Sequence, residues 1–205
     1  MKLYTADFAP NPERVRMFMR EKGIDDIELV PVNIMEREHK SAAFRAISPF
    51  AQLPALELDD GRVLTESRAI CRYLEGLHQE PNLFGETAEE TAFIEMWDRR
   101  MEFMFLLPLA WWIRHGHPAF TVIEKQIAGL APRGEKTFRS FAKWLDGELA
   151  ERDYIAGARF TIADITAFAA IGFARVAKWK PDAGELPHLN AWRSRMIERP
   201  CGQKS

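Results

Sequence analysis

The chain has 205 residues, with 28 Lys and Arg against 30 Asp and Glu and a formal net charge of −2. That balance leaves no basic footprint for nucleic acid, and the longest charge-free apolar run, Phe103 to Ile113, falls short of the roughly 20 residues of a membrane span. Cys71 and Cys201 stand in no CxxC or metal spacing, as in a reduced compartment, and the chain reads straight into a strand without a basic-then-apolar leader. A cytoplasmic location is expected.

Residues 1–78 alternate short strands and helices. The pattern predicts a strand at Lys2–Thr5, a helix at Pro12–Lys22 stopped by Gly23 in the αL capping position, and a strand at Ile27–Val32. A helix at about Ser41–Ile47 comes next. A strand at Pro54–Leu58, a tight turn at Asp59-Asp60-Gly61 and a strand at Arg62–Thr65 form a hairpin, and Glu66 opens a helix to about Leu77. The order β-α-β-α-β-β-α is thioredoxin-like. Residues 79–87, with Pro81 and Gly85, read as a linker.

Residues 88–205 read as helical almost throughout. Thr87-Ala88-Glu89-Glu90 is a capping-box sequence, in which the first and fourth side chains satisfy each other's backbone N–H groups. A long helix is expected from there to about Ile113, then a loop with at most a helical turn over Gly116–Leu130, and a helix from Pro132 to about Glu151. Thr161-Ile162-Ala163-Asp164 is a second capping box, opening a helix to Val176. Ala167, Ala169, Ala170, Gly172 and Ala174 put small residues around most of that helix, which implies burial at the centre of a bundle.

The most informative stretch is Gln52-Leu53-Pro54-Ala55-Leu56 with Glu66-Ser67-Arg68-Ala69-Ile70 twelve residues beyond Pro54. Proline at a strand start removes a ladder N–H and forces a turn. Glu66-Ser67 begins a helix whose unpaired backbone N–H groups can hold an anion. A strand edge beside a carboxylate and a hydroxyl suits a small zwitterionic peptide, and the arrangement resembles the glutathione-binding site of glutathione transferases. The Thr161–Asp164 box after Tyr154-Ile155-Ala156-Gly157 is similar to that family's signature in its helical domain. Pro10-Asn11-Pro12-Glu13-Arg14-Val15-Arg16 resembles the start of the first helix in bacterial members.

The resemblance implies a thioredoxin-like domain over 1–78 and an all-α domain over 88–205. It further implies glutathione as cosubstrate, no metal, a small hydrophobic electrophile as acceptor, and a homodimer with Arg68, Arg72, Asp98, Arg99 and Arg100 near its interface. By the same resemblance Leu53, before a cis Pro54, exchanges backbone hydrogen bonds with the cysteinyl unit. Glu66 pairs with the γ-glutamyl ammonium, Ser67 with its carboxylate, His39 and Lys40 with the glycyl carboxylate, and Gln52 adds a contact. Where serine- and cysteine-type relatives carry the thiol-activating residue, this chain has Ala9. Asn11 then either donates to the sulfur, as in nu-like bacterial relatives, or caps the first helix ahead of Pro12. Tyr4 and Thr5 on the first strand are the further candidates.

Trp97, Met101, Met104, Phe105, Pro108 and Trp112 recur at helical spacing, a pattern typical of core. In the family one face of this helix looks onto the acceptor site, so Trp97, Met101, Phe105 and Trp112 are expected to line an electrophile pocket. His115-Gly116-His117 has no third ligand nearby and argues against metal. The expected activity is addition of the glutathione thiolate to small hydrophobic electrophiles. A glutathione-dependent disulfide or peroxide reductase and a non-catalytic binding module remain as alternatives, the latter favoured by Ala9.

Overall fold

The computed structural model describes residues 1–203, which form two compact units: one over Met1–Pro81, the other from Asn82 onward.

In the first unit, β1 (Lys2–Thr5) is followed by α1 (Pro10–Lys22), β2 (Glu28–Pro31) and α2 (Ala42–Ile47). Then come β3 (Ala55–Glu57), β4 (Val63–Thr65) and α3 (Ser67–Leu77). The sheet order is β2-β1-β3-β4, with β1 and β2 parallel and the other neighbours antiparallel. This is the thioredoxin-like topology the sequence predicts. Alternation along the strands selects the faces: Leu3 and Leu56 are fully buried with Val15 and Phe18 of α1 and Ile70 and Leu74 of α3. Tyr4 turns the other way and meets Phe44 of α2 edge-on. Gly23 stops α1 at φ 64, donating to the carbonyls of Arg20 and Met19. The Lys22 ammonium is buried between α1 and the end of α3; it pairs with Glu75 at 2.6 Å and donates to the carbonyls of His78 and Pro81 at 2.7 and 2.6 Å.

The second unit is helical: α4 (Ala88–Arg100), a π-helical stretch (Met101–Leu106), α5 (Leu107–Gly116), α6 (Leu130–Glu148), α7 (Ile162–Ala174) and α8 (Pro187–Glu198). The single helix expected to Ile113 is thus interrupted. Pro108 has no N–H for the carbonyl four residues back and its ring crowds that carbonyl, so a widened turn just before it is the local solution. A short 3₁₀ turn at Pro118–Val122 lies in the segment expected as loop. Gly134 lets α6 approach α5 closely, because a Cβ there would lie 2.7 Å from the Trp112 nitrogen and 3.0 Å from the Trp111 Cβ.

Helix α7 is buried around nearly its whole circumference. Its capping box is complete: Asp164 accepts from the Thr161 N–H at 2.9 Å, from Ile155 N–H at 2.8 Å and from the Trp192 indole at 2.9 Å. The Thr87 box is only half formed. Thr87 Oγ1 accepts from Glu90 N–H at 3.1 Å, but the Glu90 carboxylate takes the Glu86 N–H and the Arg159 guanidinium instead of closing on Thr87. Among the described residues no helix is long and apolar enough to cross a membrane.

Candidate functional site

The strand register gathers the motif residues at one end of the sheet. Tyr4 pairs with Ala55 and Ala55 with Thr65, so the next step along the ladders sets Thr5, Pro54 and Glu66 in one row. Leu53 lies beyond the last paired residue of β3, which leaves its N–H and carbonyl outside the ladder. The Leu53–Pro54 peptide is cis. The turn before it is pinned by Ser48, whose buried hydroxyl donates to the Gln52 carbonyl at 2.9 Å and accepts from the Gln52 N–H at 3.3 Å.

Across the hairpin, Glu66 holds the position before α3 at φ 66 and ψ 109, with an exposed side chain. A side chain at positive φ is unusual and costs of order 1–3 kcal/mol where the surroundings enforce it. The backbone reverses there, so Ser67 becomes the first helical residue and is 5 % exposed. Its hydroxyl does not cap the helix. It accepts instead from Arg14 Nη1 of α1 at 2.9 Å, and Arg14 is fully buried. The start of α3 thus combines unpaired N–H groups, the positive end of a helix dipole, a hydroxyl and a buried guanidinium, a combination suited to an anion. Glu66 supplies the opposite charge next to it. Together they match the ammonium and carboxylate of an amino-acid headgroup.

The same sheet end carries the start of α1. The helix begins at Pro10, two residues earlier than expected, with Ala9 at the N-cap and no side-chain cap. Asn11 is therefore inside the first turn, and the helix-cap role considered for it is not the one it occupies. Proline at both positions flanking Asn11 removes two of the N–H groups a helix start normally offers. The Glu13 N–H already bonds to the Ala9 carbonyl at 3.1 Å. Asn11, exposed, contributes the first turn's backbone donor together with its side-chain amide.

The two strand residues differ. The Tyr4 hydroxyl donates to Glu57 at 2.7 Å, and Glu57 pairs with Lys2, toward the opposite end of the sheet from Pro54. That hydrogen bond, helped by desolvation and the Glu57 charge, holds the phenol above its ordinary pKa. Thr5 is 4 % exposed, and its hydroxyl has no hydrogen-bond partner among the described residues. His39 and Lys40 lie in a single 3₁₀ turn, Glu38–Lys40, where His39 is buried and Lys40 half-buried; Gln52 is exposed.

Comparison with known proteins places the whole chain in a family. Residues 3–82 match the family model of the glutathione S-transferase N-terminal domain, and residues 117–200 that of the C-terminal domain. The chain belongs to the glutathione S-transferase family. Over its whole length it is 34 % identical to "Glutathione S-transferase 2" of Saccharomyces cerevisiae, covering 88 % of that protein. It is 33 % identical to "Glutathione S-transferase 3" of Zea mays, 92 % of which is covered. Among solved structures, a glutathione S-transferase domain-containing protein of Marinobacter aquaeolei superposes with a TM-score of 0.93 at 37 % identity, over 99 % of this chain and 100 % of that one. Gtt2 of Saccharomyces cerevisiae gives 0.92 at 33 % identity, over 98 % of each chain.

In the helical unit of this transferase, Trp97, Met101 and Phe105 are core side chains. Trp97 stacks on Trp144 at 5.6 Å with the Arg152 guanidinium 3.9 Å from its ring centre, and Phe105 stacks on Phe138 at 4.6 Å. Of the four side chains expected around an electrophile, Trp97, Met101 and Phe105 are buried and Trp112 is half-buried. Asp98 is fully buried and accepts a short hydrogen bond from the Thr166 hydroxyl. His115 and His117 serve their own loop, each Nδ1 accepting a backbone N–H, from Ile127 at 3.2 Å and Ala119 at 3.3 Å. Among the described residues no group of His, Cys, Asp or Glu could hold a metal ion.

Sequence reasoning passed over Arg14 and Ser48. Arg14 carried a signal: it shares a helix face with Phe18, so a permanent cation falls on a buried stripe. Ser48 carried none, because a serine before a proline-rich turn is ordinary.

Proposed function

We propose that the first unit binds glutathione and that the enzyme adds its thiolate to small hydrophobic electrophiles. The observation carrying this reading is the pairing of exposed Glu66 with Ser67, buried at the start of α3 and bonded to Arg14, across the hairpin from the Leu53–Pro54 turn. Glu66 takes the γ-glutamyl ammonium, Ser67 and the α3 N–H groups its carboxylate, and the Leu53 backbone the cysteinyl unit. Lys40, with His39 beside it, meets the glycyl carboxylate, and Gln52 adds a polar contact.

Asn11 is the donor proposed for the sulfur. A free thiol has a pKa of about 8.5 and is mostly protonated at neutral pH; an amide and a helix-start N–H directed at sulfur favour the thiolate. Thr5 is the second candidate, since its hydroxyl is buried at the same sheet end without a partner among the described residues. The committed hydroxyl of Tyr4 makes it the weakest of the three. The electrophile is taken by apolar side chains of the helical unit, Trp112 foremost. The active form is proposed to be a cytoplasmic homodimer acting in detoxification, with no nucleic-acid or membrane partner.

Conjugation of chlorodinitrobenzene, followed spectrophotometrically, tests this reading against the two alternatives. Steady glutathione-dependent turnover is expected. Reduction of a glutathione mixed disulfide without conjugation would favour the reductase reading. Absence of both activities would leave a binding module.

A further inference from the structure

His188, Ala191 and Arg195 of α8 are three and four residues apart, so they share one face of the helix. Elsewhere on α8 the backbone and side chains are tied down. The Leu189 N–H donates to the buried Asp146 carboxylate at 2.8 Å, and the Trp192 indole donates to Asp164 at 2.9 Å. The short Ala191 side chain leaves room between its two long neighbours. The chain that follows α6, from Glu151 to Asp153, forms the facing wall, and a cavity of about 310 Å³ opens between the two. That size is the lower end of the range for small-molecule sites.

The lining carries both signs of charge. Arg152 is already engaged, by Glu148 at 2.6 Å and by the face of Trp97. Arg195 has capacity left. Its Nη2 donates to the Asp153 carbonyl at 2.7 Å, which fixes the guanidinium, but its buried Nε–H has no acceptor among the described residues. A buried N–H left unpaired is costly and calls for an acceptor. The Asp153 carboxylate stands 3.9 Å from Arg195 Nη2, beyond hydrogen-bond reach, and both Asp153 and Glu151 are exposed. A permanent cation and two carboxylates thus stand side by side without a direct bond between them.

We propose that this cavity of the second unit binds a free α-amino acid. The ligand carboxylate accepts from the Arg195 Nε–H, and the ligand ammonium donates to Asp153 and Glu151. A simple anion would meet two carboxylates there, and a simple cation a fixed guanidinium, so the lining selects a molecule that carries both charges. The site is built from residues of the second unit alone and does not rest on the glutathione reading of the first.

The test titrates L-glutamine into the full chain and follows the His188 ring and Ala191 methyl resonances by NMR. Two analogues isolate the charges: glutaramate lacks the ammonium, and 4-aminobutanamide lacks the carboxylate. Saturable shifts with a millimolar dissociation constant are expected for glutamine. Each analogue should bind at least about tenfold more weakly, as loss of a charge-assisted hydrogen bond implies. Arg195→Gln should weaken glutamine by the same factor and leave 4-aminobutanamide unchanged. Ala191→Phe fills the cavity without altering its charge and should abolish the His188 shifts. Equal affinity for the three compounds, undiminished binding in Ala191→Phe, or no saturable shift up to about 50 mM glutamine would overturn the proposal. If Ala191→Phe does not fold, Arg195→Gln decides, and unchanged glutamine affinity in that variant overturns it.

Discussion

The Trp192 indole N–H donates to Asp164 Oδ1 at 2.9 Å, tying α8 to the first turn of α7 inside the helical unit. Burial pushes the Asp164 carboxyl up to about 6, opposed by the hydrogen bonds it receives from Ile155, Trp192 and Thr161. With the folded pKa above the unfolded one, Asp164 favours the folded state most below pH 4, and that contribution is lost as pH rises through about 6. A shift of roughly two units corresponds to about 3 kcal/mol. The Trp192 indole resonance should therefore titrate with a midpoint near 6 in NMR spectra recorded between pH 4.5 and 7.5. Asp164→Asn should remove the titration and flatten stability over the same range. An indole shift independent of pH would contradict this.

Lys22→Met should destabilise the protein by about 3–5 kcal/mol, because it takes the cation from beside the buried Glu75 carboxylate and from the His78 and Pro81 carbonyls. Chemical denaturation measures the loss. A change below about 1 kcal/mol, the size of an exposed pair, would mean that the bridge is unimportant.

Gly134→Ala should cost about 1–3 kcal/mol by overpacking, although alanine is the better helix former. A Cβ at this position would meet the α5 backbone at Pro108 and Trp112. Thermal melts of the variant should show a lowered midpoint; a raised one would show that the two helices separate easily.

Asn11→Ala should lower conjugation by roughly one order of magnitude without abolishing glutathione binding, as loss of one neutral donor worth about 0.5–1.5 kcal/mol implies. Tyr4→Phe should leave the rate nearly unchanged, since the Tyr4 hydroxyl serves Glu57. Conjugation should keep rising into the alkaline range, because neutral donors acidify a thiol only modestly. The reverse order, with Tyr4→Phe inactive and Asn11→Ala unaffected, would move the donor to the first strand.

The first unit was legible because its signals are local. Pro54 at a strand start, Gly61 in a two-strand turn and Gly23 after an amphipathic helix each dictate a backbone event within a few residues, and the observed ends differ from expectation by only one or two positions. The α1 start, two positions earlier than expected, has consequences. Pro10 and Pro12 both suit a first turn, and only the three-dimensional path shows that the earlier one is used. The π-helical stretch before Pro108 was hidden because apolar spacing is similar in α- and π-helical turns over so short a span. The apolar stripe of Trp97, Met101 and Phe105 is buried, but periodicity does not distinguish a core from a pocket wall. Arg14 became meaningful only when α1 and α3 were seen to bring it against Ser67, a contact separated by 53 positions in the chain.

Calorimetric titration of glutathione into the unsubstituted protein and into the Glu66→Ala/Ser67→Ala double variant tests the central claim most directly. Binding to the unsubstituted protein, weakened at least about tenfold in the double variant, is the expected result for the loss of charge-assisted hydrogen bonds. Equal affinity in the two proteins, or no binding to either, would contradict it.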